Sequence, residues 1–196
     1  MKTDNAASST PVLSNGKLLL RPWRPCDVDA LYEAACESIS TVGRWLPWCH
    51  AGYSRADAVE WIAHCQSGWH DGEHFAFPIF DATSGELLGG AGLNQRNRIH
   101  RSASLGYWVR QTRQRQGIAC AAARLVAQFG FDQLALVRIG IAVLPDNTAS
   151  RHTALKIGAQ FEAISRQRLC IGEQAHDAAV YGLVRSDLLR SLRNDC

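Results

Sequence analysis

The chain has 196 residues, 46 % hydrophobic and 20 % charged, with a formal net charge of +3. That composition suits one soluble domain with a real core, is too mildly basic to announce nucleic acid, and holds no apolar run near the roughly 18 residues of a membrane span. The 7 cysteines are odd in number and scattered without CxxC spacing, which gives neither a disulfide framework nor a zinc site, implies no metal, and suits the cytoplasm.

Residues 1–12, "MKTDNAASSTPV", are polar and lack the apolar core of a secretory signal, so a flexible tail is expected, with 13–196 as a single domain. "KLLLRPWR" (17–24) reads as a strand, and "PCDVDALYEAACES" as a helix with Pro and acidic residues near its start. "VGRWLPWCHAGY" fits neither period and is a loop carrying large apolar side chains. "SRADAVEWIAHCQSGW" is a helix with Ser54 as N-cap and Ala58, Trp61, Ile62 and Cys65 on one face. The period then changes: "HFAFPIF", "ELLGGAGL" and "SASLGYWVR" are strands, and Pro78 argues for an edge or irregular position in the first. Between the last two, Arg96, Arg98, His100 and Arg101 crowd a loop, where solvation alone accounts for such charge.

From Gly117 to about Phe129 the pattern is helical, with Ala121, Leu125, Val126 and Phe129 along one side. "VRIGIAVL" (137–144) is a buried type of strand, and "NTASRHTALKIG" is a helix capped by Asn147 and closed by Gly158. Strands at about 160–170 and 175–184 flank "IGEQ". The order implies an α/β (α+β) fold: a mixed sheet with helices on both faces.

The chemistry gathers in "RQRQGIACAAA" (113–123). A helix start exposes four unpaired N–H groups and about half a positive charge. Gly117 supplies no capping oxygen, Gly117 and Ala119 leave the backbone approachable, and Arg113 and Arg115 add charge, all of which suits a phosphate. No GxxxxGK[ST] is present, and the dinucleotide fingerprint lacks its later glycines. A glycine turn before an ordinary core helix is the competing reading.

Gln114, Gly117 and Ala119 match the pattern Q/R-x-x-G-x-G/A of the GNAT superfamily of N-acetyltransferases. "LGYWV" before them and "NTASRHTALKIGAQF" after them resemble its RimJ/RimL branch, the ribosomal-protein N-terminal acetyltransferases. The resemblance runs from about Lys17 to Leu188, with residues 103–161 carrying most of its specificity. It implies a GNAT-type, mostly antiparallel sheet splayed at one parallel strand pair, with acetyl-CoA as co-substrate in the splay. Its diphosphate would then meet Gln114, Arg115, Gln116, Gly117, Ile118 and Ala119, and its pantetheine arm the strand edge at Trp108, Val109 and Arg110. The N–H of Val109 would support the thioester oxygen, a contact worth about 3–4 kcal/mol in the transition state. Asn147 is an N-cap first and, by resemblance, a contact to the cofactor's amide arm. Ser150 stands at the third helical position, where a capping box would want Glu or Gln; by resemblance it protonates the departing thiolate. Lys156 and Arg151 are assigned to the adenosine 3′-phosphate.

A base is harder to place. Where relatives carry a carboxylate on the "GYW" strand this chain has Ser104, and "ISRQRLC" offers no acid, leaving Glu37, His74 or His176 to be brought near by folding. An α-amine of pKa about 8 is roughly one-tenth neutral at pH 7, whereas a lysine near 10.4 needs roughly 3 kcal/mol more help, so the missing base favours an α-amine. Trp45 and Trp48 are candidates to wall a slot for the acceptor, with core packing as the alternative, and Arg96, Arg98 and Arg101 to attract an acidic chain. The expected function is acetyl transfer to a primary amine, a protein N-terminus in the first instance. A small amine (amino acid, polyamine or antibiotic) and a non-catalytic acyl-CoA-binding role are the alternatives. No membrane or direct nucleic-acid partner is expected, and a homodimer is compatible.

Overall fold

A computed structural model describes residues 11–193, so the tail expectation for residues 1–10 lies outside the described residues, as does Cys196. The elements are β1 (Leu13–Ser14), β2 (Leu18–Leu20), α1 (Val28–Glu37), α2 (Arg55–Asp71), β3 (Phe75–Asp81), β4 (Leu87–Asn97), β5 (Ser102–Val109), α3 (Ile118–Asp132), β6 (Arg138–Val143), α4 (Thr148–Lys156), β7 (Gln160–Ile171), β8 (Gln174–Leu183) and α5 (Arg185–Arg193). They form one eight-stranded sheet in the order β1-β2-β3-β4-β5-β6-β8-β7, antiparallel except for β5 against β6. The mixed sheet and its single parallel pair are those expected.

Helices cover both faces. On one, α3 buries Ala122, Val126 and Phe129 against Phe75, Phe77, Leu93 and Ile139. Phe129 meets Phe77 edge-on at 5.3 Å, and Trp69 meets Phe75 at 4.9 Å. Each fully buried side chain of this size contributes about 1.5–3 kcal/mol. On the other face, α1 and α2 bury Leu31, Ala34, Ala58, Ile62 and Cys65 against Ala76, Phe80 and Leu87. Ser54 caps α2, accepting from the Asp57 amide while Asp57 accepts in return from the Ser54 N–H at 2.7 Å. Trp61 turns out of the face expected for it and is 41 % exposed.

One expected strand is shortened, Pro78 takes the irregular alternative, and two elements are added. The strand of 17–24 shortens to β2, because Pro22 and Pro25 cannot continue a ladder, and a 3₁₀ turn at Pro25–Asp27 leads into α1. Pro78 lies in an interior strand rather than at an edge. However, β2 stops opposite Ile79, so β3 has only β4 as a partner at Pro78, and the β3/β4 register shifts just beyond it. The short β1 and the C-terminal α5 carry no signal that the chain's periodicity separates from loop.

The feature that matters for function is the parallel pair. β5 and β6 match only over Ser102–Ser104 against Arg138–Gly140. Beyond that point β5 stays with β4 as far as Val109, and β6 stays with β8 as far as Val143, so a gap opens in the middle of the sheet.

Candidate active site

The gap opens into a cavity of about 1180 Å³ lined from both faces of the sheet, with Leu105 and Tyr107 on the α3 side and Gly106 and Trp108 on the α1–α2 side. Ordinary small-molecule sites occupy about 300–1,000 Å³, so this one accommodates an extended, two-part occupant. The Arg110 amide donates to Leu88 of β4 at 2.9 Å. Amides alternate in direction along a strand, so those of Val109 and Tyr107 face the gap.

At one end stands the start of α3. Gly117 is its N-cap at φ 76°, with no side-chain cap, and a Cβ there would meet nothing within 4 Å. The first helical bond is from the Ala121 amide to Gly117, so the amides of Ile118, Ala119 and Cys120 have no partner among the described residues. An uncapped, positively polarised and open helix end is the arrangement a diphosphate needs. Arg115, itself at φ 62°, and Lys156 also line the cavity.

Other residues of the motif hold the turn in place. The Gln114 side-chain amide donates to Val109 O and to Thr41 Oγ1, both at 3.1 Å, so it braces strand, turn and the α1–α2 loop. Arg113 is ion-paired with Glu86. Gln116 is exposed, donating to Thr112 O at 3.4 Å, and does not line the cavity. Arg110 also lies outside it: its amide serves β4, and its guanidinium is paired with Glu37 and, at 3.3 Å, with Glu86.

On the far wall Asn147 caps α4, its side-chain oxygen accepting from the Ser150 amide at 3.1 Å, the structural role expected of it. The Ser150 hydroxyl donates to the Tyr107 oxygen at 3.2 Å, and the Tyr107 hydroxyl donates to the Ser150 carbonyl at 2.9 Å. Burial pushes the Tyr107 phenol well above its ordinary value, so it stays protonated. Sequence reasoning missed Tyr107; its place inside "GYW" was legible, its partnership with a residue 43 positions away was not. Arg151 does not line the cavity: its guanidinium is spent on Tyr181 Oη and Pro145 O, both at 3.0 Å, because α4 turns it toward β8.

The candidate bases sort clearly. Glu37 accepts from Arg110 and from the Thr112 amide and hydroxyl, at 2.8 and 2.7 Å. The Arg110 guanidinium, helped by Thr112 against the opposing effect of burial, pulls its carboxyl down to about 2, so it braces the turn and is too weak a base. His176 sits opposite Leu169 in the β7–β8 hairpin, outside the cavity. His74 does line it. Burial, then the neighbouring His64, lowers the His74 pKa from 6.5 and keeps the ring neutral at pH 7. The carboxylates among the described lining residues are Asp57 and Glu60, both on α2.

Trp45 and Trp48 both line the cavity. Trp48 stacks edge-on against Trp108 at 5.3 Å and Tyr53 at 5.8 Å, while Trp45 lies under Arg44 at 4.7 Å. Arg96 and Arg98 are tied to the C-terminal carbonyls of α2, at Gly72 (2.9 Å) and Asp71 (2.7 Å), where a helix end favours cations. Among the described residues no group of three or more His, Cys, Asp or Glu is placed to hold a metal ion, and no helix is long and apolar enough to cross a membrane.

Comparison with known proteins agrees with this geometry. Residues 17–160 match the family described as Acetyltransferase (GNAT) domain. The chain is 30 % identical over 175 residues to "Uncharacterized N-acetyltransferase YoaA" of Bacillus subtilis (strain 168), covering 89 % of this chain and 97 % of that one. It is 24 % identical to the "Ribosomal-protein-serine acetyltransferase" of Escherichia coli (strain K12), over 80 % of this chain and 87 % of that one. The fold superposes with a TM-score of 0.81 on RimL, a ribosomal L7/L12 alpha-N-protein acetyltransferase solved with coenzyme A, at 20 % identity and over 89 % of this chain and 98 % of that one. The chain belongs to the GNAT family and is an acetyl-CoA-dependent N-acetyltransferase.

Proposed function

We propose that the acceptor is a protein N-terminal α-amine of the ribosomal-protein type, acetylated by direct attack in the gap between β5 and β6. The observation that carries this reading is that neither parting strand carries a carboxylate: Ser104 stands on β5, β6 has no acid, Glu37 is locked to Arg110, and the acids that do line the cavity, Asp57 and Glu60, come from α2 at its other wall. An amine entering such a site loses its proton to water or to a neutral imidazole, which an α-amine does far more readily than a lysine. The ribosomal-protein-serine acetyltransferase of Escherichia coli, similar over most of its length, supports the same class. A ribosomal-protein acceptor also places the chain in the cytoplasm.

The residues fit the co-substrate. The amides of Ile118, Ala119 and Cys120 hold its diphosphate, with Arg115 and Lys156 beside them. The amides of Val109 and, deeper, Tyr107 pair with its pantetheine arm and meet the negative charge that grows on the carbonyl oxygen. Bound acetyl-CoA supplies the thioester, whose C–S bond breaks as the bond from the amine nitrogen to the acetyl carbon forms. Ser150 turns its hydroxyl from Tyr107 to the departing sulfur and delivers the proton. The amine's own proton leaves to solvent, which returns one to Ser150, while Tyr107 stays protonated and holds Ser150 in place through its carbonyl. Trp45 and Trp48 wall the acceptor's entry.

The test is thiol release from acetyl-CoA with serine-leading peptides, polyamines and aminoglycosides as acceptors. We expect the highest kcat/KM with the peptides. Preference for a polyamine or aminoglycoside overturns the reading, and tight acetyl-CoA binding with no turnover of the peptides overturns it too.

A further inference from the structure

Glycine is a poor choice for the interior of a strand, since it loses the most freedom on ordering and packs nothing. β4 and β5 nevertheless place glycines opposite each other, Gly92 against Gly106, and the two have different explanations. A Cβ on Gly92 would lie 2.8 Å from the Phe75 carbonyl oxygen, so crowding accounts for it. A Cβ on Gly106 would meet nothing within 4 Å, and its backbone does not adopt a left-handed conformation. Neither packing nor strain requires glycine there. Gly106 is also exposed although it lies in the middle of an eight-stranded sheet, and the space above it belongs to the cavity.

Ala76 lies in the same row, across Gly92, Asn94 faces Ser104 two residues back on the same face, and Trp61, His64 and His74 line the same cavity. The three rings touch one another, with centroids 5.4 Å apart for Trp61 and His74, 5.6 Å for Trp61 and His64, and 5.2 Å for the two histidines. The side chains of His64 and His74 make no hydrogen bond to the described residues, and both line the cavity. Gly106 is one residue, about 3.3 Å, along the strand from Tyr107, whose amide faces the gap. An attacking amine comes within about 3–3.5 Å of the acetyl carbon, which places the substituent on its neighbouring carbon over the Gly106 floor.

We propose that Gly106 is a specificity-determining residue: the space above it receives the side chain of the acceptor peptide's first residue, and His64 and His74 meet the peptide's next polar groups. This rests on the peptide reading given above. Its consequence is that the enzyme tolerates bulky first residues, and that width at position 106 sets the limit.

The experiment uses the full chain, its Gly106→Val and Gly106→Ala variants, and hexapeptides that differ only in beginning with Gly, Ser or Leu. Calorimetry with coenzyme A and a thermal melt accompany each variant. We expect coenzyme A affinity to stay within twofold for both variants. For Gly106→Val, kcat/KM should fall at least tenfold for the Leu peptide and less than threefold for the Gly peptide, with Gly106→Ala intermediate. If the wild type acetylates the peptides but both variants leave the Leu-to-Gly ratio unchanged, the role of Gly106 is wrong and the function stands. Equal losses on both peptides, or weakened coenzyme A binding in the melt-stable Ala variant, also overturn it. If the wild type acetylates none of the peptides, the functional reading fails and this inference fails with it.

Discussion

At the end of the cleft proposed for the diphosphate, the groups on offer are the backbone amides of contiguous residues, 117–120. The end proposed for the acceptor is lined by Trp48 in the α1–α2 loop, Trp61 and His64 on α2, His74 at the edge of β3 and Gly106 on β5. The first end needs an absence of side chains and of a cap; the second needs side chains of stated shape from four separate places. Amides on a helix end are nearly the same in any protein that has one, so that end suits a co-substrate shared by a whole family. Side-chain walls are free to vary without disturbing it.

A bridge joins the two ends. Glu37, Ser38, Ser40 and Thr41 run from the end of α1 into the α1–α2 loop, and all four bond to the turn at 110–114. The loop bearing Trp45 and Trp48 is therefore anchored to the turn that leads into Gly117.

Breaking the diphosphate end gives the largest effect. Gly117→Glu places a carboxylate on the phosphate site at φ 76°, where a side chain adds about 1–2 kcal/mol of strain. We expect acetyl-CoA affinity to fall more than 100-fold in calorimetry with the circular dichroism spectrum retained; unchanged affinity would remove the site from α3. Next comes the centre of the cleft. Ser150→Ala should lower kcat by about 100-fold, the low end of the range for a lost general acid, with acetyl-CoA affinity nearly constant. An equal rate would leave Ser150 as a first-turn helix residue only.

The bridge sharpens the comparison at intermediate size. A carboxyl held at about 2 against an ordinary 4.5 is stabilised by at most about 3 kcal/mol at 1.36 kcal/mol per unit, and about 2 is expected for a group still partly open to solvent. Because the folded value is the lower one, this stability is full above about pH 4.5 and is lost as the pH falls toward 2. Glu37→Gln should therefore destabilise the protein by about 2 kcal/mol at pH 7 in urea melts and flatten the acid limb. It should also raise the KM values of both substrates, as an anchor between the two ends requires. The smallest effect belongs to the acceptor wall. Trp48→Ala removes edge-on contacts of about 0.5–1.5 kcal/mol each, so a roughly 3–10-fold rise in acceptor KM is expected while acetyl-CoA affinity stays within twofold.

Much of the fold was open to reading in the chain. Ser54 with Asp57, Asn147, and the change from helical to alternating period at residue 75 each act within a few residues, and each gave its element nearly the right bounds. Gly117 was legible for the same reason, since a missing cap is a local fact. The supporting cast was not. Arg110 looked like part of the strand edge and serves Glu37 and Glu86; Glu37 looked like a spare acid and is a brace. Those assignments depend on which partner 73 residues away arrives first.

By itself the sequence determined that a bare helix start follows a strand, because capping and periodicity are set by neighbours along the chain. Only the tertiary structure decided that β5 and β6 part beyond Ser104, that Tyr107 meets Ser150, and that open space lies above Gly106. Such facts arise from the packing of α1, α2 and α4 against the sheet, and no spacing along the chain encodes the distance between side chains on different elements.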